Sequence, residues 1–192
     1  MTFDTLIASM EARGAQNDIF ALDKKDKYLN ITRDTGEFLN FLVTMEKPER
    51  VLEVGTSNGY STLWLSKNLP SSGRIITLDI NPSRLKEANE NFKELNVQSK
   101  VSTYQIGVQR YLRDTDAPCF DMVFLDANRD EYLSYFNALL SRMRKGGLLI
   151  CDNANSHREE LEELLVWIER HPGLSHCIVN VGKGELLVYK HY

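Results

Sequence analysis

Asp126 and the adjacent pair Asp152-Asn153 are the residues of this chain whose type and placement best suit chemistry. Each follows an apolar run, Met122-Val123-Phe124-Leu125 before Asp126 and Gly147 to Cys151 before the pair, so each stands where a buried strand would end. Strands of a parallel sheet end on one edge, and neighbouring strands would bring two carboxylates and one amide together there. A hard divalent cation relieves the repulsion between such carboxylates through oxygen ligands, with sites left for water and a chelating substrate. Aspartate after a strand is also a common turn or cap residue, and spacing alone does not decide between the two readings.

A second group lies upstream in Val51-Leu52-Glu53-Val54-Gly55-Thr56-Ser57-Asn58-Gly59-Tyr60-Ser61. A strand runs into a glycine turn that lets a ligand approach the backbone at the carboxyl end of an open sheet. Ser57 breaks the GxGxxG spacing, and no GKS or GKT ending follows, which disfavours NAD and ATP. The alternative, which the residues favour less, is that the glycines do no more than tighten a strand-to-helix turn. Asp79 ends the next β-rich run, where an acidic side chain can accept from both hydroxyls of a ribose or, alternatively, cap a helix.

These residues need a scaffold of alternating strands and helices, and the sequence supplies the pattern from Arg50 onward. Strands are expected at Arg50 to Gly55, Arg74 to Asp79, Val101 to Ile106, Asp121 to Asp126 and Gly147 to Cys151. Asn81 and Pro82 open a helix with the stripe Leu85, Ala88, Phe92 and Leu95. Leu133, Phe136, Leu140 and Met143 form a second stripe, which Gly146-Gly147 should stop. Ser156 and Glu159 have capping-box spacing ahead of Leu161, Leu164, Leu165 and Ile168. Ser175 to Val181 and Glu185 to Lys190 read as an antiparallel hairpin at a sheet edge. Helices are expected before residue 48, with Asp34 and Glu37 at capping spacing.

Composition narrows the partners. With 192 residues the chain fits one domain, and 23 basic against 27 acidic residues give a net charge of −4, with no general attraction to nucleic acid or anionic membrane. Lys183 and Lys190 are too few for a nucleic-acid surface. No apolar run approaches the ~20 residues of a membrane span, and Met1 to Asp18 lacks a signal-peptide core, so a cytoplasmic protein is expected. Cys119, Cys151 and Cys177 are far apart in apolar contexts and read as buried thiols.

Taken in order, Glu53-x-Gly55-x-x-x-Gly59-Tyr60-Ser61, Asp79, Phe120 to Asp126 followed by Tyr132, Gly146-Gly147 and Asp152-Asn153 resemble the cation-dependent class I S-adenosylmethionine O-methyltransferases, notably catechol O-methyltransferase and its bacterial relatives. The likeness runs from about Leu29 to Lys190. It implies a Rossmann-like α/β fold: a seven-stranded, mostly parallel sheet with an antiparallel last strand and helices on both faces. Residues 1–47 would be helices over the site and 48–192 the core of a single domain. It further implies cofactor contacts at Ile31, Glu53, Gly55, Thr56, Ser57, Gly59, Tyr60, Ser61, Asp79, Ile80, Gly107, Val108, Gln109 and Asp126. Asp126, Asp152 and Asn153 match the metal ligands, with magnesium ahead of calcium or manganese, and Asn153, Arg129 and Glu185 fall at the substrate.

The implied activity is metal-dependent methyl transfer to a hydroxyl of a small catechol-like diol, by a homodimer if the bacterial relatives are a guide. Arg129 departs from the family, which commonly has lysine there. Arginine stays protonated, so Arg129 cannot be a base and is assigned either to stabilising a phenolate or substrate acid group beside Asp126, or to surface pairing with Asp130 or Glu131. Two rivals stay open: a metal-independent class I methyltransferase acting on another acceptor, and a cofactor-binding protein without turnover.

Overall fold

The computed structural model describes residues 1–23, 26–116 and 119–192. Five strands, β1 (Arg50–Val54), β2 (Arg74–Asp79), β3 (Val101–Gln105), β4 (Phe120–Leu125) and β5 (Met143–Cys151), run parallel. The hairpin β6 (Leu174–Val179) and β7 (Glu185–Lys190) completes a seven-stranded sheet of order β3-β2-β1-β4-β5-β7-β6, with β7 antiparallel to both neighbours. This is the Rossmann-like arrangement the resemblance implied.

Alternation along the strands assigns the two faces. Val51, Ile75, Met122, Phe124, Leu148 and Ile150 point to one side. There they meet α1 (Phe3–Phe20), α2 (Arg33–Glu46), α3 (Tyr60–Lys67) and α4 (Pro82–Glu94) through residues such as Ile7, Leu39, Leu63 and Phe92. Leu52, Val54, Leu78, Val123, Leu125 and Leu149 point to the other side. They pack on α5 (Val108–Asp114), α6 (Tyr132–Ser141) and α7 (Arg158–Glu169). Truncating a fully buried residue of either layer, such as Phe124 to alanine, costs about 3–5 kcal/mol. Among the described residues no helix is long and apolar enough to cross a membrane.

Several local expectations hold. Asn81 caps α4 by accepting from Ser83 N at 3.0 Å and Arg84 N at 3.3 Å, with Pro82 in the first turn. Others are corrected. Helix α6 ends at Ser141, so Met143 opens β5, and the buried stripe is Tyr132, Tyr135, Phe136 and Leu139. Gly146, at φ +76°, sits where the β4–β5 register shifts and stops no helix. The cap of α2 is Thr32, while Asp34 accepts from Gly182 N across 3.0 Å. Helix α7 has no side-chain cap, because the Ser156 hydroxyl lies 2.9 Å from His157 Nδ1 and 3.3 Å from Asn153 Oδ1. Of the cysteines only Cys151 is buried; Cys119 and Cys177 are exposed.

Candidate active site

Because β2, β1, β4 and β5 are consecutive in the sheet, their carboxyl ends bring Asp79, Gly55, Asp126 and Asp152 to one edge. The approach at its centre is close: a Cβ on Gly55, at φ +108°, would lie 2.1 Å from the Asp126 carbonyl oxygen. Only glycine allows β1 to turn here. Gly55 N and Thr56 N both donate to Leu78 O, at 2.9 and 3.2 Å, and hold the turn against β2. Asp79 accepts from Ser57 N and Asn81 N, each at 2.8 Å, and its carboxylate oxygens keep further acceptor capacity toward the groove it lines.

Two connected hollows follow this edge. A cleft of about 570 Å³ is bounded by Tyr28, Leu29, Ser57, Asp79, Asp126 and Arg129, with Asn153, His157 and Lys183 at its far side. A recess of about 270 Å³ lies beside Ile80, Ile106, Gly107 and Val108. Gly55, Asp79, Asp126, Ala127 and Asn128 wall both. A larger hollow of about 920 Å³ between α7 and β6 is lined by Glu159, Glu162, Val166 and His176 but by none of the residues selected from sequence, which gather at the smaller pair.

Glu53 is placed differently from the other expected cofactor contacts. Its side chain is buried, and its carboxylate accepts from Ser61 at 2.6 Å, from Thr77 at 2.6 Å and from Thr62. Burial pushes its pKa up to about 7, against the pull of the three hydroxyls and with a smaller push from Asp79. Glu53 thus ties β1, β2 and α3 together beneath the loop. Tyr60 turns its hydroxyl to Glu11 at 2.6 Å, and burial raises its pKa. Gln109 is exposed and donates to Ser134 at 2.7 Å, outside the residues that wall the recess.

Residues 28–31 form a strap across the glycine loop. Tyr28 N donates to Asn17 and Asp18, at 2.9 and 2.8 Å, and Leu29 N to Asp18 at 3.1 Å. The Tyr28 hydroxyl donates to Glu87 on α4 at 2.7 Å, and the Arg84 guanidinium lies 4.0 Å from its ring centre. Ser57 Oγ donates to Tyr28 O at 3.3 Å. Beneath the strap, the space bounded by Leu29, Asn30, Ile31, Ser57, Tyr60 and Ser61 is only about 10 Å³.

At the β4–β5 end, carboxyl groups crowd. Burial raises the Asp126 pKa well above the usual carboxylate value, and the charges of Asp152 and then Glu53 add to the rise. Asp152 is raised chiefly by burial, and Glu185 is pushed up to about 10 by burial and by the Asp152 charge. Glu185 Oε1 accepts from Thr35 at 2.9 Å, while Oε2 meets no N–H or hydroxyl donor and faces Asp152, where a shared proton can join the two. Asn153, at φ +67°, turns its amide nitrogen onto Asp152. The Asp126 carboxylate accepts no hydrogen bond among the described residues. Among those residues no three His, Cys, Asp or Glu side chains form a metal-holding group, so any ion here would depend on the Asn153 amide as well.

Arg129 pairs with neither of its sequence neighbours. Its Nε donates to Glu160 on α7 at 2.7 Å, its side chain is 10% exposed, and its charge faces Asp126 and Asp152. Lys183, on the β6–β7 turn, also faces the two aspartates. Sequence reasoning missed Lys183, Tyr28 and Thr35 as residues of the site, and placed no weight on His157. The only sequence signal for Lys183 is its position between two glycines of the hairpin turn.

Residues 16–190 match the family model described as O-methyltransferase. The catechol O-methyltransferase of Niastella koreensis is 33% identical over 138 residues, 70% of this chain and 62% of that protein. Caffeoyl-CoA O-methyltransferase 1 of Eucalyptus globulus is 26% identical over 182 residues, 83% of this chain and 74% of that protein. The chain therefore spans about three fifths to three quarters of the length of these curated relatives. Among solved structures, a putative O-methyltransferase from Klebsiella pneumoniae shares the fold with a TM-score of 0.85 at 23% identity, covering 100% of this chain and 92% of that one. TomG of Streptomyces achromogenes, solved in complex with SAM, does so with a TM-score of 0.83 at 24% identity, covering 97% and 90%. The chain belongs to this O-methyltransferase family.

Proposed function

We propose that the chain transfers a methyl group from S-adenosylmethionine to a hydroxyl of a small acceptor with two adjacent oxygens, such as a catechol, with the help of a divalent cation. The observation that carries this reading is Asp126: a carboxylate with no hydrogen bond among the described residues, set against Asp152 and Asn153 on the same edge as Gly55 and Asp79. The recess beside Ile80, Gly107 and Val108 suits an adenine, and Asp79 at the junction of the two hollows suits a ribose. The methionine end would then lie on the glycine loop under the strap.

The donor set fits a hard cation. Asp126 and Asp152 offer carboxylate oxygens and Asn153 an amide oxygen, now 3.3 Å from the Ser156 hydroxyl, and burial, which raises the pKa of both carboxyls, disfavours their ionised forms unless a cation is supplied. When bound, a divalent cation would favour the ionised form of an acceptor hydroxyl near neutral pH. The chain's own contribution is placement. The close passage of Gly55 and Asp126 holds the two hollows against each other, which would place an acceptor in the cleft next to a cofactor in the recess and so favour the in-line approach that methyl transfer needs. One carbon–oxygen bond forms as one carbon–sulfur bond breaks, and the hydroxyl proton leaves to water or a carboxylate, because Arg129 is already protonated.

Titration calorimetry with S-adenosylmethionine, followed by mass spectrometry of catechols with magnesium or with chelator, tests the proposal. Cofactor binding with methylated product only in magnesium is the expected result. Product formed equally in chelator would replace it with the metal-independent rival.

A further inference from the structure

The cleft wall facing the acceptor carries basic groups that the proposed transfer does not require. Arg129 is fixed by Glu160 through Nε, and its terminal amino groups donate to nothing among the described residues. Across the cleft, Lys183 stands exposed on the β6–β7 turn and forms no ion pair among the described residues. His157, at the start of α7, has Nδ1 engaged by Ser156 at 2.9 Å and lines the same cleft. The acidic residues nearby are otherwise occupied. Asp79 accepts two backbone N–H groups, Glu160 pairs with Arg129, and Asp152 and Glu185 share their own contact.

The charge count is informative. A divalent cation would balance Asp126 and Asp152, and Glu160 balances Arg129; Asp79 is the one other carboxylate of the cleft and is held by Ser57 N and Asn81 N, which leaves the Lys183 ammonium without an ion-pair partner among the described residues, across the cleft from a guanidinium with unused donors. A neutral diol gives these groups nothing to bind, whereas a carboxylate suits both a planar guanidinium and an ammonium.

We infer that the acceptor carries a carboxylate in addition to its paired hydroxyls, and that Lys183 and the free edge of Arg129 receive it. This rests on the acceptor class proposed above and narrows it to acidic catechols. Lys183 then selects among acceptors, and the turn that carries it belongs to the site.

The test compares 3,4-dihydroxybenzoate with 3,4-dihydroxybenzamide, which share ring hydroxyls and shape but differ in charge. Both are titrated into protein loaded with S-adenosylhomocysteine and magnesium, and both are assayed for turnover. A charge-assisted hydrogen bond corresponds to about tenfold in affinity or more, so the acid should bind about tenfold more tightly than the amide. That ratio should shrink in high salt and fall about threefold in Lys183→Gln, with the remainder carried by Arg129, as expected when one partly exposed charge pair of two is lost. Equal affinity for the two compounds, or a ratio unchanged in Lys183→Gln, overturns this inference and leaves methyl transfer to neutral catechols standing. Cofactor binding with neither affinity for nor turnover of either compound overturns the acceptor class itself, and this inference with it.

Discussion

Gly55 passes so near Asp126 that a methyl group on residue 55 would sit 2.1 Å from the Asp126 carbonyl oxygen, with backbone rather than a yielding side chain in the way. Gly55→Ala combines this clash with a φ of +108° that alanine rarely adopts, so a loss of about 2–4 kcal/mol in stability is expected. Urea unfolding, paired with calorimetry of S-adenosylhomocysteine, checks it. A variant of unchanged midpoint that still binds would show that β1 and β4 can part at this point without cost.

Glu53 gives a pH signature. Its pKa is about 7 in the fold against an ordinary value of 4.5, so the folded state holds the proton more tightly than the unfolded chain does. Its contribution is therefore most favourable below about pH 4.5 and is lost as pH rises through about 7, amounting to roughly 3 kcal/mol in all. Glu53→Gln removes this titration. The stability difference between variant and wild type, measured in chelator, should shift in favour of the variant from pH 5 to pH 8. Parallel curves for the two proteins would contradict it.

Tyr28 holds the strap to α4 through Glu87, and the space beneath the strap is too small for an aminocarboxylate unless the strap lifts. Tyr28→Phe removes one hydrogen bond of about 1 kcal/mol, so entry and exit of S-adenosylhomocysteine should each quicken about fivefold. Stopped-flow fluorescence reads both rates. Rates equal to wild type would mean that the Glu87 contact does not hold the strap.

Asp126→Asn separates stability from activity. It removes one of two buried like charges, so in chelator the variant should melt about 2–4 °C higher, the shift that about 1 kcal/mol gives a chain of this size. Magnesium-dependent turnover should fall by about a hundredfold or more with the loss of an anionic ligand. Lower stability in chelator together with retained turnover would assign Asp126 to the scaffold.

Much of the site was legible because it sits at strand ends. Apolar runs that stop at an acidic residue mark both the sheet and its chemical edge, and Asp79, Asp126 and Asp152 all stand where those runs close. The stretch from Leu140 to Gly147 was not legible. Met143 falls at helical spacing after Leu140 yet starts β5 and joins the same buried cluster, so periodicity ran across a helix-to-strand junction unseen. Cys177 has apolar neighbours in sequence but lies on β6, the edge strand, where an apolar context does not imply cover. Lys183 and Tyr28 became part of the site through contacts made across the tertiary fold, which no local pattern records.

The strap has a kinetic consequence. Tyr28 and Leu29 roof the glycine loop and also wall the larger cleft, so an acceptor bound there as proposed would obstruct the path of the donor. Binding should accordingly follow a compulsory sequence, donor before acceptor and methylated product before spent donor, with the demethylated donor acting as a competitive inhibitor of its own precursor.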